Sequence, residues 1–361
     1  MSKSTFTLLV VLIGGALVGS ASYFLWSTAE ASPSTSIPVA AAATLPDATT
    51  TTSEPSTTTT TIATTTTTSL SSLLIHGTGD VALDPDYIPA LVSNGWDHAW
   101  SGMEGLFLAD DLTVINLECV PSDIGLPLDK EFVFRCPTES LPSLLANGVE
   151  VANLGNNHSG DYGKEALVDG RAQLIASGVA PVGAGNDDDE AGAPALFEIG
   201  GWQVAVVGFG GVAPSTSWYA AEDRAGMRNG KDTDSMVEAV GAAAEVADIV
   251  VVTIHWGREL DTAPRPDDIA NARAMIEAGA DIIFGHHSHR LAPLEMIDGV
   301  PVFWQLGNFV WPHNSAPSAT TAVARAVVNP DGTIDACLIP AYIISAGHPV
   351  LTSDPACGPG S

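Results

Sequence analysis

The chain has 361 residues, with 42 acidic against 13 basic side chains, a formal net charge of −29 and a sequence pI near 4.2. That length allows one large domain or two ordinary ones with a substantial core. The charge excludes a nucleic-acid partner and loose adhesion to anionic surfaces, so a polyanionic ligand needs a local positive site, either metal ions or one of the few arginines.

Residues 1–26 hold an uncharged apolar run, Phe6 to Trp26. At about 1.5 Å per residue it spans roughly the 30 Å of a bilayer's hydrocarbon. Lys3 precedes it and the next Lys or Arg is Lys130, so the positive-inside rule predicts a cytoplasmic N-terminus and an extracytoplasmic remainder. Ala29-Glu30-Ala31 resembles a signal-peptidase site, and cleavage after Ala31 makes the protein secreted. The run exceeds the roughly 7–15 residues of a signal core, which favours a single-pass anchor in the cell membrane. Residues 27–72, rich in Ser, Thr and Pro, have no hydrophobic period and cannot bury enough surface to offset chain entropy. They are expected to form a disordered, O-glycosylation-prone tether.

From residue 73 short β-branched runs alternate with amphipathic stretches, which predicts an α/β fold in one domain over 73–350, with 351–361 as a tail. LTVINL (112–117), VEVANL (149–154), IVVVTI (249–254) and DIIF (281–284) read as buried strands. SLPSLLANG, KEALVDGRAQLIASG, DSMVEAVGAAAEVA and PDDIANARAMIEAGA read as helices, several closed by a C-terminal Gly. LFEIGGWQVAVVGF reads as a hairpin turning at Gly200-Gly201, and the stretches after Pro301 are strand-rich with an NPDG turn. Cys119, Cys136, Cys337 and Cys357 allow three connectivities, of which Cys119–Cys136 with Cys337–Cys357 is the easiest because the cysteines fall into two close pairs.

Polar residues recur where these strands stop: Asp80, then Asn116 and Glu118, then Asn156, Asn157, His158 and Asp161, then His255, and finally His286, His287 and His289. Each alone also fits a cap, a turn or a satisfied structural group. Ligands of α/β sheets bind beyond the carboxyl ends of the strands, so five such segments in register predict one converging site. Carboxylates, an Asn and several His suit divalent ions, imidazole for zinc or iron and carboxylate for manganese or magnesium. A pair of such ions can ionise a water and clamp a transferring group.

GDVAL, NLE, F-x-F-R-C-P, GNNHSGDYG, VTIHWGREL, GADIIFGHHSH and QLGNF stand in the order of the CapA family of poly-γ-glutamate capsule synthesis, which resembles calcineurin-like metallophosphoesterases. The resemblance runs from about Leu74 to Asn308, with a weaker tail to Ala346. It implies a four-layer α/β sandwich, two central sheets flanked by helices, with one or two Mn, Zn, Fe or Mg ions. On that pattern Asp80 binds a first metal and Glu118 bridges. Asn157, His255 and His287 hold a second metal, His289 returns to the first, and His158 is the catalytic acid or electrostatic helper. His287 and His289 project into one cavity and His286 points away. Two departures stand out: the pattern D-x-H is replaced by Asp80-Val81-Ala82, and the bridge is Glu118 rather than Asp, with Asn116 as a residue that could share its role.

Arg135, Arg258 and Arg290 lie in or beside these motifs and are candidate substrate contacts, since Arg grips carboxylate or phosphate bidentately; each could instead pair with one of the many acids. The resulting expectation is a membrane-tethered, metal-dependent hydrolase of phosphoesterase or γ-glutamyl amide type, acting on an anionic surface polymer such as poly-γ-glutamate alongside capsule synthase or export partners. The alternative is a non-catalytic component that binds, anchors or helps export polymer through the same cleft. A secreted 5′-nucleotidase-like phosphatase is the third reading, weakened by the missing histidine.

Overall fold

The computed structural model describes residues 70–312 and 315–353. The apolar run Phe6–Trp26, the tether as far as residue 69, and Cys357 lie outside these residues, and with them the anchor, signal and linker expectations. No helix among the described residues is long and apolar enough to cross a membrane.

In chain order the strands are β1 (Leu73–Val81), β2 (Leu112–Leu117), β3 (Val151–Asn153), β4 (Ala180–Val182), β5 (Ala184–Gly185), β6 (Ala195–Ile199), β7 (Trp202–Gly210) and β8 (Gly226–Met227). They continue with β9 (Ile249–His255), β10 (Ile282–His286), β11 (Leu294–Ile297), β12 (Val300–Phe303), β13 (Asn308–Val310), β14 (Thr320–Val328), β15 (Ile334–Ser345) and β16 (His348–Leu351). One sheet has the order β16-β15-β14-β1-β2-β3-β4, with β13 also paired to β1. The other has the order β11-β12-β10-β9-β7-β6, and β5 pairs with β8. Strands β1 to β4 are mutually parallel, as are β7, β9, β10 and β12.

Period-two alternation sorts the apolar residues into separate cores. Leu73, Ile75, Leu112 and Val114 of the first sheet meet Val204, Val206, Ile249, Val251, Ile282 and Phe284 of the second in one inter-sheet cluster. The opposite faces feed two outer clusters. Ile115, Leu117 and Ala152 pack with Leu167 and Leu174 of the helix Lys164–Ala176. Val250, Val252 and Ile283 pack with Met236, Val240, Ala272 and Met275 of the helices Thr233–Ala244 and Pro266–Glu277. The helices expected from the sequence are present, and the hairpin turns at Gly200-Gly201 with φ of +60° and +92°. Cys119 and Cys136 form a disulfide, and Cys337 is disulfide-bonded as well.

At the amino edge of the sheets a carboxylate ahead of one strand accepts a backbone N–H of its neighbour. Asp111 takes Leu74, Glu150 takes Thr113, Asp248 takes Gln203 and Asp281 takes Val250, at 2.8, 2.8, 2.9 and 2.8 Å. These bonds satisfy donors that the ladders leave open at the strand starts.

At the other edge β1 slips register. Its pairing with β2 runs Gly77↔Val114 and then Asp80↔Asn116, one residue more on β1 than on β2. Such a bulge turns the next side chain to the other face. Asp80 thereby joins Asn116 on the inter-sheet side, where unbroken alternation would have sent it to the helices. Gly79 permits the bulge, because a Cβ there would come within 2.2 Å of the Gly307 carbonyl oxygen.

Candidate metal centre

The inter-sheet face changes character along its strands. On β2 it reads Leu112, Val114, Asn116; on β3 Val151, Asn153; on β9 Ile249, Val251, Thr253, His255; on β10 Ile282, Phe284, His286. Apolar residues fill the middle of the layer and polar ones stand at its carboxyl edge. The sequence-predicted segments converge there.

Asn116 lies at the centre of this edge. Its Nδ2 donates to Asp80 Oδ1 at 2.9 Å and lies 3.1 Å from His255 Nδ1. Its Oδ1 accepts from Asn153 Nδ2 and Asn156 Nδ2 at 3.2 and 3.3 Å. Both ends of the Asn116 amide are thus engaged, and its contacts hold Asp80 and His255 in place.

Glu118 follows β2 and is fully buried, and neither of its carboxylate oxygens has a hydrogen-bond partner. Its Oε1 is 3.4 Å from His255 Nε2 and 4.0 Å from His158 Nε2. Two groups of donors share this carboxylate, Glu118 with His255 and His287, and Asp80 with Glu118 and His289; the ligand atoms in each lie within 4.8 Å of one another. Asn157 joins the first group, its Oδ1 2.7 Å from His255 Nε2.

His287 and His289 have φ of +98° and +54°. Residues with a Cβ rarely adopt such values, and held departures of this kind cluster at functional sites. Ser288 fixes the bend between them: its N–H donates to Gln305 Oε1 at 3.0 Å and its Oγ to the Arg290 carbonyl at 3.0 Å. His289 Nδ1 lies 3.1 Å from Asp80 Oδ2, but its hydrogen bond is with Asn308 Oδ1 at 2.8 Å. Asn308 Nδ2 in turn donates to the carbonyl and hydroxyl of Ser318. His286 does not point away from the centre. It continues the inter-sheet alternation of β10, with Nδ1 3.8 Å from Asp80 Oδ1 and Nε2 3.1 Å from Thr253 Oγ1.

The electrostatics follow from burial and crowding. Burial pushes the Glu118 carboxyl well above its ordinary range, and the charges of Asp80, Asp161 and Glu259 add to the effect. Burial also pushes Asp80 upward, yet contact with His289, helped by His286 and Asn116, outweighs it and leaves Asp80 lowered. Burial drives His255 well below the imidazole range, reinforced by the neighbouring histidines. His286 and His287 are lowered to about 4, chiefly by burial. His289 alone of these four histidines is raised, because Asp80 and Asn308 outweigh its burial.

The residues present fit divalent ions. Asp80 Oδ2, both Glu118 oxygens and His287 Nδ1 are buried acceptor positions without a hydrogen-bond partner, and buried polar atoms left so are costly. Neutral imidazoles and carboxylates are the donor types such ions take.

His158 stands beside this set. Asp161 Oδ2 lies 2.7 Å from its Nδ1, leaving Nε2 toward Glu118. Asp161 also accepts from Lys130 Nζ and from the Phe134 N–H, and Lys130 donates to the Asn157 carbonyl at 2.8 Å. The Phe134 ring covers the imidazole at 4.4 Å. Burial lowers His158 despite Asp161.

A cleft of about 400 Å3 opens onto the centre, lined among others by His158, His289, Phe134, Trp311, Glu259 and Arg290. Of the three arginines expected at the substrate, Arg290 lines it and the other two do not. Arg135 is spent on the Asp123, Ile124 and Gly125 carbonyls and stacks 3.7 Å over the Tyr162 ring, where it shapes the loop. Arg258 turns to solvent and pairs with Asp261 at 2.8 Å. Trp256 and Trp304 stack on each other in an outer core.

Sequence reasoning did not single out Asn153, Lys130 or Asn308 as site residues. Asn308 had a signal, the QLGNF motif at a strand start. Lys130 had none, since its role depends on the path of the disulfide-closed loop.

The α/β frame gathers carboxylates and imidazoles at its strand ends in groups that could hold a metal ion. The description of the bacterial capsule synthesis protein family PGA_cap matches residues 75–313, and the chain belongs to that family. It is similar to the PGA biosynthesis protein CapA of Bacillus subtilis, 31% identical over 258 residues covering 71% of this chain and 67% of that protein. It is also similar to a probable polyglutamine synthesis accessory protein of Mycobacterium tuberculosis, 34% identical over 225 residues covering 60% of this chain and 59% of that one. The second match therefore spans less than two thirds of its relative. Among solved structures, the sulfate thiohydrolase SoxB of Thermus thermophilus overlaps 71% of this chain and 45% of its own at 16% identity, with a TM-score of 0.40, too loose to carry an inference.

Proposed function

We propose that this protein is a metal-dependent hydrolase of metallophosphoesterase type that acts on an anionic surface polymer, of the poly-γ-glutamate class, outside the cytoplasm. The observation that carries the reading is Glu118, a fully buried carboxylate with no hydrogen-bond partner, shared between two groups of donor side chains. Asp80, Glu118 and His289 would hold one divalent ion, and Glu118, Asn157, His255 and His287 a second. His255 and Asn157, now 2.7 Å apart, would both turn these atoms to the second ion. When bound, such ions ionise water at neutral pH and stabilise the charge that develops on the attacked group.

The protein's own residues supply the rest. Asp161 fixes the His158 ring by its Nδ1, so that Nε2 can give or take a proton beside the reacting group. Phe134 and Trp311 lie tilted against His158 and His289 and shield them from water. Arg290 offers the cleft its cation. The substrate class is taken from what the relatives' names say of them. The apolar run before the tether supports placement at the membrane, facing outward.

The test is metal content per chain by elemental analysis, on protein purified without chelator, followed by assay of phosphate esters and γ-glutamyl polymers. Close to two equivalents with hydrolysis of either class supports the proposal. No metal, and no uptake of added manganese or zinc, refutes it in favour of a non-catalytic polymer-binding role.

A further inference from the structure

The cleft joins an aromatic wall to two opposite charges, Arg290 and Glu259. In a chain with 42 acids, Lys130, Arg171, Arg228, Arg258, Arg265 and Arg273 each have a carboxylate within 4 Å, while Arg135, Arg224 and Lys164 bond backbone carbonyls away from the cleft. Arg290 has none among the described residues. Its Nη1 donates to the His289 carbonyl at 2.7 Å, which ties it to the strained bend and leaves the rest of its donor fork for a ligand. Glu259 also has no ion pair among the described residues, and it stands near enough to the centre for its charge to act on Glu118 and His289.

The dimensions narrow the ligand. A volume of about 400 Å3 lies at the small end of the ~300–1,000 Å3 usual for small-molecule sites. It suits a small group or a chain end better than a threaded polymer. Interior units of a γ-linked glutamate chain each carry a carboxylate and no cation, so Glu259 repels them. The amino-terminal unit carries an ammonium and a carboxylate on one carbon.

We propose that the cleft receives the free amino end of an acidic polymer, with Arg290 holding the carboxylate and Glu259 the ammonium of the terminal unit. This rests on the polymer reading above and adds which part of the polymer is bound. The test is calorimetric binding of γ-glutamyl-glutamate and its N-acetylated form to the full-length, manganese-loaded protein. Acetylation is expected to weaken binding by about tenfold or more, the size of one charge-assisted hydrogen bond. Glu259→Gln should abolish that difference, and Arg290→Gln should weaken both peptides. Equal binding of the two peptides, binding of neither, or a difference that survives Glu259→Gln overturns the proposal. Metal content of the same samples reports on the metal centre separately. Long polymer that binds equally with a free or blocked end would overturn end recognition and leave the polymer reading standing.

Discussion

Asp80 and His289 face each other across the centre, Oδ2 to Nδ1 at 3.1 Å, the carboxylate fully buried. Each stabilises the charged form of the other, so Asp80 stays ionised while His289 keeps its proton further up the pH scale. Glu118, raised by burial and its acidic neighbours, likewise holds its proton further up the pH scale than an ordinary carboxyl. A cation has to displace these protons. Metal affinity should therefore rise with pH, by at most about tenfold per unit for each proton displaced. Manganese titrations at pH 6 and pH 8 check this, and equal affinities at the two would refute it.

Asn116 makes contacts with Asp80, His255, Asn153 and Asn156, all buried. Asn116→Leu should lower stability by about 1–3 kcal/mol by leaving polar neighbours unsatisfied. Metal affinity should fall about 10–100-fold, as for other residues that orient ligands. Denaturation and metal titration of the same variant decide it, and unchanged affinity would mean that Asp80 and His255 need no tether.

Substitutions at His158 and His287 should separate chemistry from metal binding. His158→Ala is expected to retain metal while lowering turnover by about 10²–10⁴-fold, the range for a positioned acid or base. His287→Ala should lose metal and turnover together. Metal loss in both variants would place His158 among the ligands instead.

Away from the centre, Glu150 gives a signature of its own. Burial, with the Asp110 charge adding, raises its carboxyl from 4.5 to about 7 while it accepts the Thr113 N–H. The folded state holds this proton more tightly than the unfolded chain does, so stability falls as pH rises between those values and levels off above them. Glu150→Gln keeps an acceptor for Thr113 and removes the charge. The variant should melt higher than the parent at pH 8 and gain less at pH 4.5. Solvent access to this partly exposed group makes the gain smaller than the shift implies. Calorimetric melts at the two pH values test it; a gain independent of pH contradicts the assignment.

The Cys119–Cys136 bridge closes the loop that carries Lys130 and Phe134. Replacing both cysteines by serine should cost about 2–4 kcal/mol. It should also loosen the covering of His158. A melt paired with single-turnover assay would show loss of stability alone if the loop holds its course without the bond.

Much of this site was legible because polar side chains end strands that are otherwise apolar. That contrast marks Asp80, Glu118, Asn157, His255, His287 and His289 in sequence. His286 was legible too, since alternation from Ile282 and Phe284 places it on the inter-sheet face; reading the strand as ending at Phe284 hid this. What could not be read are features set by distant backbone. The bulge that turns Asp80 inward depends on Gly79 lying against Gly307. Which arginine meets the cleft depends on loop paths: the Arg135 guanidinium is consumed by carbonyls only 10 to 12 residues back along its own chain. Residue types pointed to a converging site, and the three-dimensional neighbours show what each side chain there touches.

The strand order has a consequence for how the chain is made. β1 lies between β2 and β14, and Leu73 pairs with Val328. The earliest strand of the domain thus waits for one of the latest before its second edge is covered. Non-local pairing of this kind slows folding, and an unpaired apolar edge invites association with other chains in the meantime. Synthesis halted before residue 320 leaves β1 bare along the side that β14 takes in the finished protein. The first sheet closes only when nearly all of the chain is present.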